Sequence, residues 1–197
     1  MSNDLNVKLR MIILFVYLMA LTIGFPIEFQ AMPASMHSQG ATSHPSERSL
    51  PAAFVPVLPE VKAKSGIPVL LPSELFGSLA KAKYAVIQKG AANEYAISLY
   101  YELGVGDAGF AALFAAQAKP NYDPRELSDS EVKLARGMIG YFRPVSCGGS
   151  CAPANIWWQN HGTLYQVQIK LPSTLSEQAQ KMAIKSVADS AIIGGPR

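Results

Sequence analysis

Two stretches of strict period-two alternation constrain the fold of this chain more than any other feature. In Glu94–Leu103, Tyr95, Ile97, Leu99, Tyr101 and Leu103 alternate with Ala96, Ser98, Tyr100 and Glu102, and in Leu164–Leu171, Tyr165, Val167, Ile169 and Leu171 alternate with Gln166, Gln168 and Lys170. Successive side chains on a strand point to opposite faces, so each stretch reads as a half-buried β-strand. Each also has a partner in reach. Tyr84–Gln88 precedes the first across Lys89–Asn93, and Asn155–Gln159 precedes the second across Asn160-His161-Gly162-Thr163, where Gly162 supplies the positive φ of a tight hairpin turn.

Between these hairpins, Phe110–Ala118 is alanine-rich but bounded by turn signals and is assigned to a strand, with helix as the alternative. Lys119–Ser130 reads as a polar loop with one helical turn, and Val132–Leu134 and Met138–Arg143 read as extended. Proline spacing in 57–72 keeps that stretch from forming a long helix or central strand, leaving a short helix near 59–64 and an extended segment near 67–71. The chain ends on a helix. Thr174 and Glu177 form a capping box, Gly194-Gly195 a stop, and Leu175, Ala179, Met182, Ala183, Val187 and Ala191 an apolar stripe with Lys181, Lys185 and Asp189 outside it. The fold class predicted is α+β: an antiparallel sheet of about five to six strands with the C-terminal helix packed on one face.

The N-terminus reads differently. Lys8 and Arg10 precede an uncharged apolar run, Met11–Phe25, which Pro26 ends. A basic flank followed by such a run is the pattern of a secretory signal peptide. As a helix it covers roughly 22 Å at ~1.5 Å per residue, short of the ~30 Å hydrocarbon core. Residues 1–31 are assigned to a signal peptide with several possible cleavage sites, an uncleaved anchor being the alternative. The first cysteine is Cys147, which excludes a lipid-modified cysteine after the run. Residues 32–52 are small, polar and proline-containing and read as a disordered linker, so that its His37 and His44 are linker residues rather than metal ligands. Residues 53–197 then form a single α+β domain. The expected location is periplasmic or secreted.

Charge narrows the partners. With 17 Lys+Arg against 14 Asp+Glu the net charge is +3, and the cations are scattered among acids rather than gathered into the stripe a phosphate backbone requires. Nucleic acid is therefore an unsuitable partner, and membrane contact is expected only during export or through a retained anchor. A protein or small-molecule ligand in the cell envelope remains.

Catalytic and cofactor motifs are missing. Gly149-Ser150 lacks the second glycine of a nucleophile elbow, Gly104-Val105-Gly106 lacks the third glycine of a phosphate cradle, and Asp123, Glu126, Asp129 and Glu131 lack the spacing of a calcium loop. The sequence thus names no catalytic residue, no cofactor and no metal site, and the chain is read as non-enzymatic.

Cys147 and Cys151 are the only cysteines, four apart across Gly-Gly-Ser. In an oxidising compartment the default is a disulfide that fixes a loop between strands. The alternative is a copper-binding or thiol-redox site, because two thiolates with a histidine can hold Cu(I). Adjacent strand residues face opposite ways, so one of Trp157 and Trp158 can face away from the helix; Arg143, Trp158 and His161 are the candidate ligand surface. The other reading has the aromatics covering the second sheet face beneath the proline-rich segment.

Trp158-x3-Gly162-x2-Tyr165, the strand after it and the helix containing Ala188-Asp189-Ser190 resemble a bacterial domain of unknown function that recurs at the C-termini of exported and anti-sigma-like proteins. The block Gly140-Tyr141-Phe142-Arg143-Pro144 with Cys147-Gly148-Gly149-Ser150-Cys151 is similar to exported bacterial proteins. These resemblances imply a periplasmic, non-enzymatic module. The function expected is an exported binding or interaction module, with the copper or thiol-redox protein as its alternative.

Overall fold

The computed structural model describes residues 50–197. The signal peptide assigned to 1–31 and nearly all of the linker assigned to 32–52 lie outside the described residues.

Among the described residues, nine strands form in the order β1 (Tyr84–Ala91), β2 (Glu94–Tyr100), β3 (Phe110–Ala118), β4 (Ser130–Lys133), β5 (Ile139–Arg143), β6 (Ser146–Cys147), β7 (Cys151–Ala152), β8 (Ala154–Asn160) and β9 (Thr163–Ile169). Two helices flank them, α1 (Leu58–Lys64) and α2 (Glu177–Gly194). Seven strands make one sheet in the order β1-β2-β3-β9-β8-β5-β4, and β6 and β7 make a separate ribbon. Every pairing is antiparallel. The sheet is two meanders, β1–β3 and the β4-β5-β8-β9 set, joined where β3 pairs with β9. The α+β expectation holds, with seven strands in place of five or six.

Local chemistry explains the strand ends. The last hairpin closes on a two-residue turn with φ of 48° at His161 and 76° at Gly162, both positive as a type I′ turn requires. The loop of the first hairpin contracts to Ala92-Asn93, because β1 runs on to Ala91 past a bulge at Gln88. Strand β2 stops at Tyr100, three residues before the alternation does. There the register shifts against β3 and Gly109 passes so close that a Cβ on it would lie 2.1 Å from the Glu102 carbonyl oxygen. Leu103, expected in the inward series, is exposed.

The register sorts the faces. Ile97, Phe114, Val167, Ile156 and Phe142 form one row across five strands, and Tyr95, Ala116, Tyr165 and Trp158 form another on the same face. All nine are buried. Two structures cover this face. Residues 50–75 lie over the β1–β3 half, with Phe54 edge-on to Phe114 at 5.3 Å, and α2 lies over β8 and β9. The proline-rich segment therefore packs beside the helix on one face, correcting the expectation that it covers the opposite one.

Two tyrosines tie that segment down. The Tyr95 hydroxyl donates to the Leu70 carbonyl at 3.2 Å and accepts from the Leu70 N–H at 3.0 Å, while the Tyr165 hydroxyl donates to the Pro68 carbonyl at 3.1 Å. Residues 67–71 are nearly strandless, with one bridge from Leu70 to Pro196, so these side chains satisfy backbone groups that a sheet ladder would otherwise pair. Burial pushes both phenols above the usual tyrosine range.

Helix α2 begins later than the capping box predicts. Its cap is Ser176, whose hydroxyl accepts from the Ala179 N–H at 3.2 Å, because Leu175 N–H closes a turn on the Pro172 carbonyl and keeps Thr174 outside the helix. Its buried stripe is Gln180, Ile184, Val187, Ala188, Ala191 and Ile192. Met182 and Leu175, expected inside, are exposed. Gln180 is the reason for the rotation: it accepts from the Val145 N–H at 2.8 Å and donates to the Leu175 carbonyl at 2.9 Å, so a polar side chain takes a core position. None of the helices among the described residues is long and apolar enough to cross a membrane.

Candidate functional site

The two cysteines sit at the far end of the β5–β8 hairpin, beyond the last ladder pair, Arg143 with Asn155. Pro144 and Pro153 interrupt the ladder there, since neither has an N–H to donate. Beyond them the chain resumes as the β6–β7 ribbon, in which Ser146 pairs with Ala152 and Cys147 with Cys151. The two cysteines are bonded as a disulfide, with Cα atoms 4.0 Å apart. Gly148, Gly149 and Ser150 span the tip, and a Cβ added at either glycine would meet nothing within 4 Å. Every residue from Ser146 to Ala152 is exposed. The bond therefore lies outside the core, and the ribbon's root is tied to it by the packing of Val145 and its N–H bond to Gln180 on α2.

Beside the ribbon lies a cavity of about 610 Å³. Cys151 and Ser150 form one wall, Gln168 and Lys170 the floor, and Asp107 and Phe110 the side toward β3. Gln168 and Lys170 continue the outward-facing series of β9, and the Lys170 ammonium is held at the rim by a hydrogen bond to the Asp107 carbonyl. Cys147 does not line this cavity; of the two sulfurs, only that of Cys151 belongs to a wall residue.

The candidate ligand surface, Arg143, Trp158 and His161, is not brought together. Trp158 is 1 % exposed, on the helix-covered face, and stacks on Tyr165 at 5.5 Å between ring centroids. Its place in that set is corrected by strand parity, because Gly140 opposite it and Tyr165 beside it both face the core. Arg143 lies on the opposite face, its guanidinium 5.8 Å from the centre of the Trp157 ring. His161 is exposed in the β8–β9 turn.

That turn is at the other end of β8 from the disulfide. The strand runs Ala154–Asn160, so the separation is roughly 20 Å at ~3.3 Å per residue. A copper site of two cysteines and His161 is thus ruled out by distance. Among the described residues, no three His, Cys, Asp or Glu side chains are grouped as a metal ion would need.

The outer sheet face has its own furniture. The crossover from β3 to β4 carries Tyr122, which lines a second cavity of about 230 Å³ with Ala96, Ala115, Leu164 and Gln166. Burial raises the Tyr122 phenol. Asp123 caps the following 3₁₀ turn by accepting from the Arg125 N–H at 2.9 Å, and the Arg125 guanidinium beside it holds its carboxyl below the usual range. This segment is structural in character: its polar groups are used within itself.

Lys170 and Gln168 are absent from the site residues singled out by sequence. Alternation places Gln166, Gln168 and Lys170 on one face, but nothing in the sequence brings the end of β9 against a loop some twenty residues earlier. The β8–β9 pairing, with Ala154 opposite Ile169, brings the ribbon there, and the β3–β9 pairing, with Ala112 opposite Ile169, brings Asp107 and Phe110. No protein-family model, curated protein or solved structure matches the chain.

Proposed function

We propose that this chain is an exported domain whose Cys147–Cys151 ribbon undergoes thiol–disulfide exchange with thiols outside the cytoplasm. The observation that carries the reading is the placement of the bond: both cysteines are exposed, at the tip of a ribbon outside the sheet, and no core residue rests on them. Exchange requires a thiolate to approach a sulfur along the S–S axis, so access governs its rate. A buried staple is shielded; this bond is open to solvent. Lys8, Arg10 and the Met11–Phe25 run support the export half of the reading, and an oxidising compartment is where such a bond persists.

The reading treats the domain as a stoichiometric exchange partner rather than a turnover enzyme. The sheet and helix act as a rigid base, Gln180 fixes the ribbon's root at Val145, and the glycines at the tip let the loop relax between the bonded and dithiol forms. A purely binding module, with the disulfide as an inert clasp, is the competing reading, and the cavity beside Cys151 is the feature that favours it.

Reduction kinetics separate the two. The folded protein is treated with dithiothreitol, quenched by alkylation and weighed by mass spectrometry, in buffer and again in denaturing urea. Exchange in the native state predicts rates within about tenfold of each other. A native rate slower by several orders of magnitude, so that reduction waits for unfolding, would remove the redox reading and leave the clasp. The mass of the mature chain from an exported fraction tests export: a start after a residue between 24 and 34 supports it, and an intact Met1 overturns cleavage.

A further inference from the structure

We infer that the cavity beside the ribbon is the docking site for a peptide thiol bearing a carboxylate, and that Cys151 rather than Cys147 is the sulfur such a thiol attacks. This inference rests on the exchange reading above and adds the ligand class and the order of the two cysteines.

Three observations carry it. Cys151 lines the cavity and Cys147 does not, although the two are bonded and both exposed. A thiol held in the cavity therefore meets the Cys151 sulfur first, with Cys147 on the far side of the bond as leaving group, the in-line order that exchange requires. The volume of about 610 Å³ falls within the ~300–1,000 Å³ range of small-ligand sites. The third observation is polar. Lys170 is the one cation and Asp107 the one acid lining the cavity, and the Lys170 ammonium is anchored by the Asp107 backbone carbonyl, which leaves two of its three donor protons for a ligand carboxylate. Gln168 adds an amide able to pair with a peptide group, and Phe110, Val145 and Leu171 supply apolar wall.

The chemistry balances in two steps. The docked thiolate attacks Cys151 Sγ, the Cys147–Cys151 bond breaks, and its electron pair leaves on Cys147 Sγ, which takes a proton from water. A second thiolate then attacks the peptide sulfur of the mixed disulfide, releasing the peptide disulfide and the Cys151 thiolate. Two thiols are oxidised and one protein disulfide is reduced. In the reverse direction Cys151 is the nucleophile and Cys147 resolves the mixed disulfide.

Glutathione and 2-mercaptoethanol are the probes, the first a peptide thiol with carboxylates and the second neutral and small. Rates of reduction of the folded, oxidised protein are compared after correction to equal thiolate concentration. Glutathione is expected to react about tenfold faster, the factor that ~1.4 kcal/mol of added contact supplies, and Lys170→Gln should bring the ratio to about one. Equal corrected rates in the wild-type protein would overturn the docking site while leaving exchange intact; no reaction with either thiol would overturn the exchange reading itself. The order of the cysteines is read separately. Against oxidised glutathione, Cys147→Ser, which keeps Cys151, is expected to form the mixed disulfide several-fold faster than Cys151→Ser. The opposite order would overturn the assignment of Cys151.

Discussion

Replacing both cysteines by serine removes a cross-link from the unfolded chain and almost nothing from the folded one. The ring closed by Cys147 and Cys151 spans a sequence separation of 4. Loop-closure entropy for so small a ring is near 7 cal/mol/K, or about 2 kcal/mol at 25 °C. No packing term is added, because both side chains are exposed and neither belongs to the buried core. A domain of this size has roughly 5–15 kcal/mol of stability, so the dithiol and double-serine forms stay folded. Their melting temperature falls by about 4–8 °C. Urea titration followed by tryptophan fluorescence checks this, since Trp157 and Trp158 are both buried. A loss above about 4 kcal/mol, or the disappearance of a cooperative transition, would show that the bond is a staple and that the reduced state is not a working state of the protein.

Further predictions test the frame that holds the ribbon. Tyr95→Phe leaves the Leu70 N–H and carbonyl without their partner in a buried site and should cost roughly 2–4 kcal/mol in a urea titration. Because burial raises the Tyr95 and Tyr165 phenols above the value near 10 of an unfolded tyrosine, their contribution is fully present below pH ~10 and is lost as pH rises further; stability against pH should therefore fall from about 10 upward, less steeply in Tyr95→Phe, and a flat profile would refute the burial of these hydroxyls. Gly109→Ala forces a Cβ against the Glu102 carbonyl oxygen, and thermal denaturation should report a loss of roughly 1–3 kcal/mol. His161→Ala should leave the rate of disulfide exchange unchanged within twofold, the histidine being a strand's length from the bond.

The sheet was legible because period-two patterning is a local signal. Tyr165, Val167 and Ile169 alternate, and they face the core as their spacing requires. The His161-Gly162 turn was legible for the same reason, two positive-φ positions between two apolar runs. What sequence misplaced depends on contacts made at a distance. Sequence draws the α2 stripe through Met182 and Leu175 because Gln180 is polar, yet Gln180 is buried by its bonds to Val145 and Leu175. Parity alone does not say which of two adjacent tryptophans faces in, and Trp158 is the one that does. Nothing in the proline-rich segment names its face, which is fixed by the hydroxyls of Tyr95 and Tyr165 that satisfy its unpaired backbone. At the candidate site the cysteines and their pairing were visible. Lys170 and the cavity were not, since they arise where the β8–β9 and β3–β9 registers meet at the end of β9.

Whether the Cys147–Cys151 bond is poised for exchange is read from its reduction potential. The folded protein is equilibrated in glutathione buffers of graded ratio, trapped by alkylation, and the dithiol fraction measured by mass spectrometry. An accessible exchange disulfide predicts a potential between about −180 and −270 mV, where redox-active protein disulfides lie. A value below about −300 mV, the range of structural disulfides, would make the bond an inert clasp.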